Sequence, residues 1–295
     1  MAKNVSNKTI DNVTIRFAGD SGDGMQLSGG RFTQTSAVVG NDLSTLPDFP
    51  AEIRAPAGSL AGVSSFQIHF SSQEIHTPGE KPDVLVAMNP AALKVHLKDL
   101  VPGGTLIVNK NAFTKKNLTL AGYEDDPTED GSLVDYYSTH FIEMGKLVTN
   151  ACEGIDIPSK MVDRTKNLCA LGVLFWMYDR PLEPTIDWLN QKFKSKPDII
   201  EANVRALNAG YNYGDTAEIF TTRFIVEKAK LPKGKYRNMN GTLASCLGIL
   251  TAAEKSNLGI TFAGYPITPA SNILHTLSNC LLYTSDAADE AKCGG

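Results

Sequence analysis

Phe17-Ala-Gly-Asp-Ser-Gly-Asp-Gly-Met-Gln-Leu-Ser-Gly-Gly30 contains five glycines within twelve residues. It follows the apolar run Val13–Ala18 and precedes Met25–Val39, a segment that we predict to be helical. A strand that enters a helix through a tight glycine turn is typical of the beginning of an open α/β sheet, and ligands of such folds tend to bind at these turns. The stretch therefore predicts an α/β fold with a candidate ligand site at the turn.

The turn fits neither of the two familiar phosphate-binding motifs completely. The dinucleotide fingerprint needs a third glycine where this chain has Leu27, and the nucleotide P-loop needs a lysine and a hydroxyl where it has Met25 and Gln26. Asp20 and Asp23 add two negative charges, which disfavour a polyphosphate. The residues alone leave two possibilities open, a ligand or docking surface and a purely structural connection from strand to helix.

Length, composition and charge restrict the class of protein. A chain of 295 residues is long enough for one large or two ordinary domains, and 42% hydrophobic with 20% charged residues is typical of a soluble globular protein. The net charge of −4 gives no electrostatic basis for binding nucleic acid or an anionic membrane. No apolar run reaches the roughly 18 residues that span a bilayer, and the first residues lack the apolar centre of a signal peptide. We therefore predict a cytoplasmic protein.

The cysteines and histidines show no metal-binding pattern. No two cysteines have C-x-x-C spacing, which argues against a zinc or iron–sulfur site held by this chain alone. Cys169 and Cys246 lie in apolar helical patterns and are expected to be buried thiols. None of the five histidines has a partner at metal-ligand spacing, and His96 is expected on a surface-like helix.

Hydrophobic periodicity predicts alternating strands and helices. Strands are predicted at Val13–Ala18, Val63–Ser71, Asp83–Ala87 and Thr105–Asn109. Helices are predicted at Met25–Val39, Ala91–Leu100, Ser159–Tyr178, Asp187–Phe193 and Pro197–Asn208, the last ending before Gly210. Asn89 is expected to cap the second of these helices, and three prolines within Leu43–Gly58 predict a loop. This order favours a Rossmann-like, mostly parallel sheet flanked by helices.

The second part of the chain reads as a linker followed by the start of another α/β domain. We assign residues 1–220 to the first domain, and residues 221–240, which mix lysine, arginine, proline and glycine, to a linker. Residues 241–278 would form the truncated start of the second domain, through a helix, a strand and a helix at Leu243–Ser256, Gly259–Ala263 and Thr268–Leu277. Residues 279–295 leave the pattern, which favours an artefact over a natural polar tail.

A proline-rich turn follows the strand predicted in this second domain. In Tyr265-Pro-Ile-Thr-Pro-Ala-Ser271 two prolines bracket Thr268 and fix the backbone on both sides of it. The free N–H groups of the helix that follows would suit a carboxylate or a phosphate. Thr268 could therefore contact a substrate. The residues of this turn by themselves favour a proline-stiffened turn in which Thr268 or Ser271 caps the helix.

Together these residues resemble the alpha subunit of the 2-oxoacid:ferredoxin oxidoreductases, most closely the 2-oxoglutarate type, in which a gamma domain precedes a pyrimidine-binding thiamine diphosphate domain. The similarity extends over about Val13 to Ser278. It rests on five segments, Gly19-Asp-Ser-Gly-Asp-Gly24, Lys81-Pro-Asp-Val-Leu-Val-Ala-Met-Asn-Pro-Ala-Ala-Leu93, Lys166-Asn-Leu-Cys-Ala-Leu-Gly172, Ala206-Leu-Asn-Ala-Gly-Tyr-Asn-Tyr-Gly214 and Tyr265-Pro-Ile-Thr-Pro-Ala-Ser271.

The resemblance implies oxidative decarboxylation of a 2-oxoacid, with coenzyme A as acyl acceptor and ferredoxin as electron acceptor. Thiamine diphosphate would supply the carbanion chemistry, and the protein would supply positioning and electrostatics. Thr268 matches the family threonine that contacts the 2-oxoacid. The residues that would approach a cofactor are Tyr265, Pro266, Ile267 and Pro269 in the second domain and Gly19, Ser21, Gly22 and Gly24 in the gamma domain.

The chain also departs from the family. The carboxylate that activates thiamine diphosphate lies beyond Asn279 in the family, where this sequence has left the pattern, and Gly241-Thr-Leu-Ala244 replaces a Gly-Asn-Glu-Ala-like run. The diphosphate with its magnesium and the iron–sulfur cluster would be held largely by a partner beta subunit. We therefore assign no catalytic residue to this chain, and we expect no activity from it alone. The competing interpretation is a non-catalytic coenzyme-binding or assembly module that uses the Gly19–Gly30 turn.

Overall fold

A computed structural model describes residues 6–50, 55–217, 220–265, 267 and 270–279 of the chain. The chain divides into two units, Met1–Pro232 and Lys233–Gly295. The strands are β1 (Ser6–Thr9), β2 (Asn12–Asp20), β3 (Asp42–Asp48), β4 (Val63–Ser71), β5 (Val84–Ala87), β6 (Thr105–Asn109), β7 (Ser138–Ile142) and β8 (Thr222–Ile225). The helices of the first unit are α1 (Met25–Val39), α2 (Pro90–His96), α3 (Lys115–Leu120), α4 (Ser132–Tyr136), α5 (Met144–Ala151), α6 (Ser159–Arg164), α7 (Lys166–Met177), α8 (Glu183–Lys192) and α9 (Pro197–Thr216).

Six strands of the first unit form one sheet in the order β3-β4-β2-β5-β6-β7. β2, β5, β6 and β7 pair in parallel, and β4 is antiparallel to both of its neighbours. β1 and β8 form a separate parallel pair. The predicted mostly parallel sheet is thereby confirmed, because every strand of the large sheet except β4 runs in the same direction.

Helices cover both faces of this sheet. Phe17 of β2 belongs to the core that includes Phe32 of α1 and Phe175 of α7, whereas the adjacent Ala18 packs with Leu93 of α2. Alternate residues of a strand point to opposite faces of the sheet, so the apolar run in β2 is buried on both faces. This three-layer arrangement is the predicted Rossmann-like α/β architecture.

Two glycines in the left-handed conformation set the limits of α1. Gly24 precedes the helix with φ 77°, and Gly40 follows it with φ 100°. Glycine adopts positive φ without the steric cost that a side chain brings. The structure therefore reproduces the predicted helix with the same bounds, since its termination signals are local.

The prediction of a loop across Leu43–Gly58 is wrong in its first half. β3 pairs there with β4 and places Pro47 opposite Phe66. β3 is an edge strand, and an edge strand tolerates a proline whose missing N–H would point away from the sheet. Sequence alone does not show which strand lies at the edge.

Two breaks within the predicted helices also differ from the prediction. The helix expected at Ser159–Tyr178 is divided at Thr165, whose Oγ1 donates to the carbonyl oxygen of Val162 at 2.7 Å and closes the end of α6. The break expected before Gly210 is absent, because α9 continues through this glycine.

The second unit contains α10 (Gly241–Ser256) and α11 (Ser271–Ser278). The strand predicted at Gly259–Ala263 is not formed. A strand needs a neighbour to satisfy its backbone groups, and the described part of this unit provides none. The segment predicted as a linker contains β8, and the domain limits at 220, 240 and 278 stay predictions. The tail at 280–295 lies outside the described residues.

Cys169 and Cys246 are buried and free, as predicted, and burial raises the pKa of Cys169 to about 12. His96, expected on a surface-like helix, is instead buried. Within the described ranges, no helix has both the length and the apolar character that crossing a bilayer requires.

Candidate functional site

The glycine turn lies at the carboxyl edge of the parallel strands. Ala18, near the end of β2, is paired with Ala87, the last residue of β5. Asn89 follows β5, and Asn109 ends β6, where its Nδ2 donates to the carbonyl oxygen of Met88 at 3.1 Å. Parallel pairing therefore brings the turn and two asparagines to the edge at which α/β folds commonly bind ligands.

The two aspartates of the turn hold its backbone. Asp20 Oδ2 accepts from the N–H of Gly58 at 2.8 Å, and Asp23 Oδ2 accepts from the N–H of Asp20 at 2.9 Å. Asn89 Nδ2 also donates to Asp23 Oδ2, at 3.4 Å. Burial is the largest influence on both carboxyl groups and raises the pKa of Asp20 and of Asp23. These side chains therefore contribute to the shape of the turn as well as to its charge.

The glycines of the turn fall into two kinds. A Cβ on Gly19 would lie 2.9 Å from Asp23 Oδ2, and one on Gly24 would lie 2.2 Å from Asn167 Nδ2. A Cβ on Gly22 would meet nothing within 4 Å, and Ser21 beside it is exposed. Close packing therefore explains Gly19 and Gly24, whereas Ser21 and Gly22 are accessible to a ligand.

A cavity of about 310 Å³ lies beside Gly22 and Gly24. Its walls come from the start of α1, from α6 and α7, and from α8 and α9 with the segment between them. It is lined by Gly22, Gly24, Leu27, Ile157, Met161, Arg164, Thr165, Asn167, Leu168, Leu189, Phe193, Ile199, Ala202 and Asn203. The sequence gives no sign of this cavity, because its apolar residues occur singly in helical patterns that also indicate an ordinary core.

The predicted site in the second unit is described only in part. Tyr265 is 80% exposed and Ile267 is 38% exposed. Pro266, Thr268 and Pro269 lie outside the described residues. A cavity of about 350 Å³ in this unit is lined by Asn240, Thr242, Leu243, Asn272, His275, Thr276 and Asn279, and therefore by neither Tyr265 nor Ile267. The substrate and cofactor roles of the proline-rich turn stay predictions.

Two of the sequence segments that indicated the family form the contact between α7 and α9. A Cβ on Gly172 of α7 would lie 2.1 Å from the carbonyl oxygen of Leu207. A Cβ on Gly210 of α9 would lie 1.9 Å from the carbonyl oxygen of Cys169. The backbones of the two helices therefore touch, so these segments have a packing role.

A buried polar network lies beneath α2. Arg16 Nε donates to Gln67 Oε1 at 2.9 Å, Arg16 Nη1 lies 3.1 Å from His96 Nδ1, and Arg16 also pairs with Asp99. Burial, followed by the positive charge of Arg16, lowers the pKa of His96 to about 4. The sequence gives no sign of this network, because 80 positions separate Arg16 from His96.

Comparison with known proteins agrees with this architecture. The profile of the family described as "POR: Pyruvate ferredoxin/flavodoxin oxidoreductase" matches residues 14–213, which is more than half of the chain. The chain belongs to this family. The resemblance inferred from the five sequence segments is confirmed, and the POR region includes the glycine turn, the sheet and the α7–α9 contact.

The POR relatives are longer than this chain or match only part of it. The 2-oxoglutarate oxidoreductase subunit KorA of Mycobacterium tuberculosis is 52% identical over 284 residues, which cover 95% of this chain and 43% of that protein. The 2-oxoglutarate synthase subunit KorC of Methanothermobacter marburgensis is 37% identical over 107 residues, covering 35% of this chain and 54% of that protein. The chain thus spans about half the length of the curated relatives it matches.

A solved structure supports the fold. The 2-oxoglutarate:ferredoxin oxidoreductase of Magnetococcus marinus, with 2-oxoglutarate, coenzyme A and succinyl-CoA bound, matches 97% of this chain and 42% of its own chain. The TM-score is 0.68 at 23% sequence identity. At this identity the similarity concerns architecture, and the ligands belong to that protein.

Proposed function

We propose that this chain forms part of a 2-oxoacid:ferredoxin oxidoreductase that acts on 2-oxoglutarate. The reaction is oxidative decarboxylation to an acyl-CoA with reduction of ferredoxin. The observation that supports it best is the 52% identity to KorA, a subunit of a 2-oxoglutarate oxidoreductase, along 95% of this chain. Identity over that length favours an enzyme subunit over a separate coenzyme-binding or assembly module, which would require similarity only around the turn.

The proposal assigns thiamine diphosphate, its magnesium and the iron–sulfur cluster largely to a partner beta subunit. Tyr265 and Ile267, the described members of the predicted cofactor loop, have exposed side chains that form no enclosed polar site. The described residues therefore do not fit thiamine diphosphate by themselves, and no step through this cofactor is derived for them. When bound in the assembled enzyme, thiamine diphosphate supplies the carbanion chemistry.

In this proposal the glycine turn contributes to binding coenzyme A. Ser21 and Gly22 are the exposed positions of the turn, and the N–H groups of Met25 and Gln26 in the first turn of α1 precede its first internal hydrogen bonds. Such N–H groups attract negatively charged groups. Gly19 and Gly24 would act indirectly, by allowing the close packing that shapes the turn.

A chimeric enzyme tests the proposal. Residues 14–213 of this chain would replace the homologous segment of KorA, and 2-oxoglutarate- and coenzyme A-dependent ferredoxin reduction would be measured. We expect activity within about tenfold of the parent enzyme. This factor corresponds to a cost of about 1.4 kcal/mol in transition-state binding. A chimera that assembles with its cofactors and shows no activity would contradict the proposal.

Two glycine variants of the chimera test the role of the turn. Gly22→Gln should raise KM for coenzyme A about fivefold or more, since a loss of about 1 kcal/mol of binding corresponds to that factor. Gly30→Gln is the matched control, because a Cβ on Gly30 also meets nothing within 4 Å but lies within α1. Equal KM values in the two variants would show that the turn is not part of the coenzyme A site. They would not contradict the proposed activity.

A further inference from the structure

The cavity beside the glycine turn has the size and the walls of a small-molecule site. Its volume of about 310 Å³ is at the lower end of the range of about 300–1,000 Å³ that such sites occupy. Apolar surface comes from four helices and from the residue that follows α8, through Leu27, Met161, Leu189, Ile199 and Phe193. A ligand that fills it would need an apolar body.

Asn167 places a hydrogen-bond donor without an acceptor on the wall of this cavity. Its side chain is 8% exposed, and its Oδ1 accepts from the N–H of Leu168 at 2.8 Å. Its Nδ2 faces Gly24, where a Cβ would lie 2.2 Å away, and both residues line the cavity. Among the described residues no acceptor bonds to Nδ2, which is therefore available to donate to a ligand. An oxygen atom of a ligand would satisfy it.

Arg164 adds an unpaired positive charge at the mouth of the same cavity. In the described ranges no carboxylate pairs with its guanidinium, and the sulfur of Met161, 3.8 Å from Nη1, is the polar contact that the structure shows. The neighbouring Asp163 is paired with Lys166 at 2.7 Å. Asp23 is hydrogen-bonded to the backbone of its own turn and to Asn89. Among the residues that line the cavity, Arg164 alone carries a charge, so the charge on the cavity wall itself is positive.

We propose that this cavity binds a small monocarboxylate with an apolar body. The carboxylate would accept from Arg164, whose planar guanidinium matches its two oxygens, and from Asn167 Nδ2. The body would lie against the apolar walls. A cationic ligand would be repelled by Arg164, and an inorganic anion would leave the walls unfilled. The proposal goes beyond the oxidoreductase assignment and uses no step of that reaction.

Binding to the complete 295-residue chain tests this site with octanoate as the probe. Calorimetry should show one site for octanoate, with 1-octanol and inorganic phosphate binding at least about fivefold more weakly. The alcohol lacks the carboxylate, and phosphate lacks the apolar body. In ¹H–¹⁵N spectra, octanoate should shift the side-chain amide resonances of Asn167. Octanoate that binds no more tightly than 1-octanol, or without shifting Asn167, would overturn the proposal.

Three variants locate the binding. Arg164→Gln should weaken octanoate about fivefold and leave 1-octanol unchanged, since an exposed ion pair contributes up to about 1 kcal/mol. Lys160→Gln is the matched control, because Lys160 is exposed on the same helix and does not line the cavity. Ile199→Trp should fill the cavity and weaken both probes. If Ile199→Trp does not fold, the comparison of Arg164→Gln with Lys160→Gln still tests the proposal. Equal effects of these two substitutions on octanoate binding would overturn it.

Discussion

His96 lies buried on α2 with its Nδ1 atom 3.1 Å from Nη1 of Arg16. A guanidinium only donates hydrogen bonds and keeps its charge, so Nδ1 must accept, and the ring must be neutral with its proton on Nε2. Protonation of Nδ1 would place two positive charges together in a buried setting. Burial and Arg16 therefore lower the pKa of His96 to about 4.

This arrangement predicts a loss of stability in mild acid. The unfolded histidine takes up a proton near pH 6.5, whereas the folded one does so only near pH 4. The free energy of unfolding should therefore fall as the pH falls from about 6.5 to 4, by on the order of 3 kcal/mol for this residue. Urea unfolding of the wild type and of His96→Gln at several pH values in this window would measure it.

The variant His96→Gln should show a flatter dependence of stability on pH, because it removes the titrating group. Lys94→Gln, an exposed substitution on the same helix, serves as the control and should keep the wild-type slope. An unchanged slope in His96→Gln would show that another group causes the acid sensitivity.

At the level of elements, the close approach of α7 and α9 depends on glycine. Gly172 and Gly210 each allow the backbone of the other helix within the distance that a Cβ would occupy. Glycine within a helix costs about 1 kcal/mol relative to alanine, so each is unfavourable for its own helix. The tertiary contact outweighs the local preference here.

Gly210→Ala should consequently destabilise the protein by about 2 kcal/mol or more. The gain in helix propensity of about 1 kcal/mol is smaller than the cost of separating two packed helices to relieve a contact of 1.9 Å with Cys169. Denaturant unfolding gives this difference directly. Gly30→Ala in α1 is the matched control and should stabilise by about 0.5–1 kcal/mol, because its Cβ meets nothing. A gain in stability from both substitutions would contradict the packing argument.

At the scale of the whole molecule, the first unit continues beyond the domain limit predicted at residue 220. β8 pairs with β1, and Phe224 of β8 stacks on Tyr178 with their ring centroids 5.8 Å apart. Asn41 Nδ2 donates to the carbonyl oxygens of Val226 and Glu227. The segment 221–232 thus contributes to the core of this unit, whereas the sequence presents it as a polar connection.

A chain that ends at residue 232 should therefore be more stable than one that ends at residue 220. The shorter chain loses the buried Val226 and the half-buried Phe224; a side chain of this kind is worth about 1.5–3 kcal/mol when fully buried, so we expect a difference of about 2 kcal/mol or more. Thermal and urea unfolding of the two chains would measure it. Equal stabilities would support the predicted limit at 220.

The correct predictions rest on local signals in the sequence. The limits of α1 follow from the glycines on either side of it, and Asn89 caps α2 by accepting from the N–H of Ala92, as predicted. The wrong predictions concern outcomes that depend on a neighbour distant in the chain. Pro47 is acceptable because β3 is an edge strand, and His96 is buried in contact with Arg16, which lies 80 positions earlier in the chain.

The sequence by itself determined the α/β class, the order of the main strands and helices, and the family, because periodicity, turn residues and short segments are properties of neighbouring positions. Only the tertiary structure showed that Asp20 and Asp23 hold their own turn and that Asn167 and Arg164 line a cavity beside it. Sheet pairing and helix contacts bring these groups together over intervals of many residues, and no local pattern specifies such distances. The sequence therefore located the glycine turn along the chain, and tertiary packing determined which groups surround it.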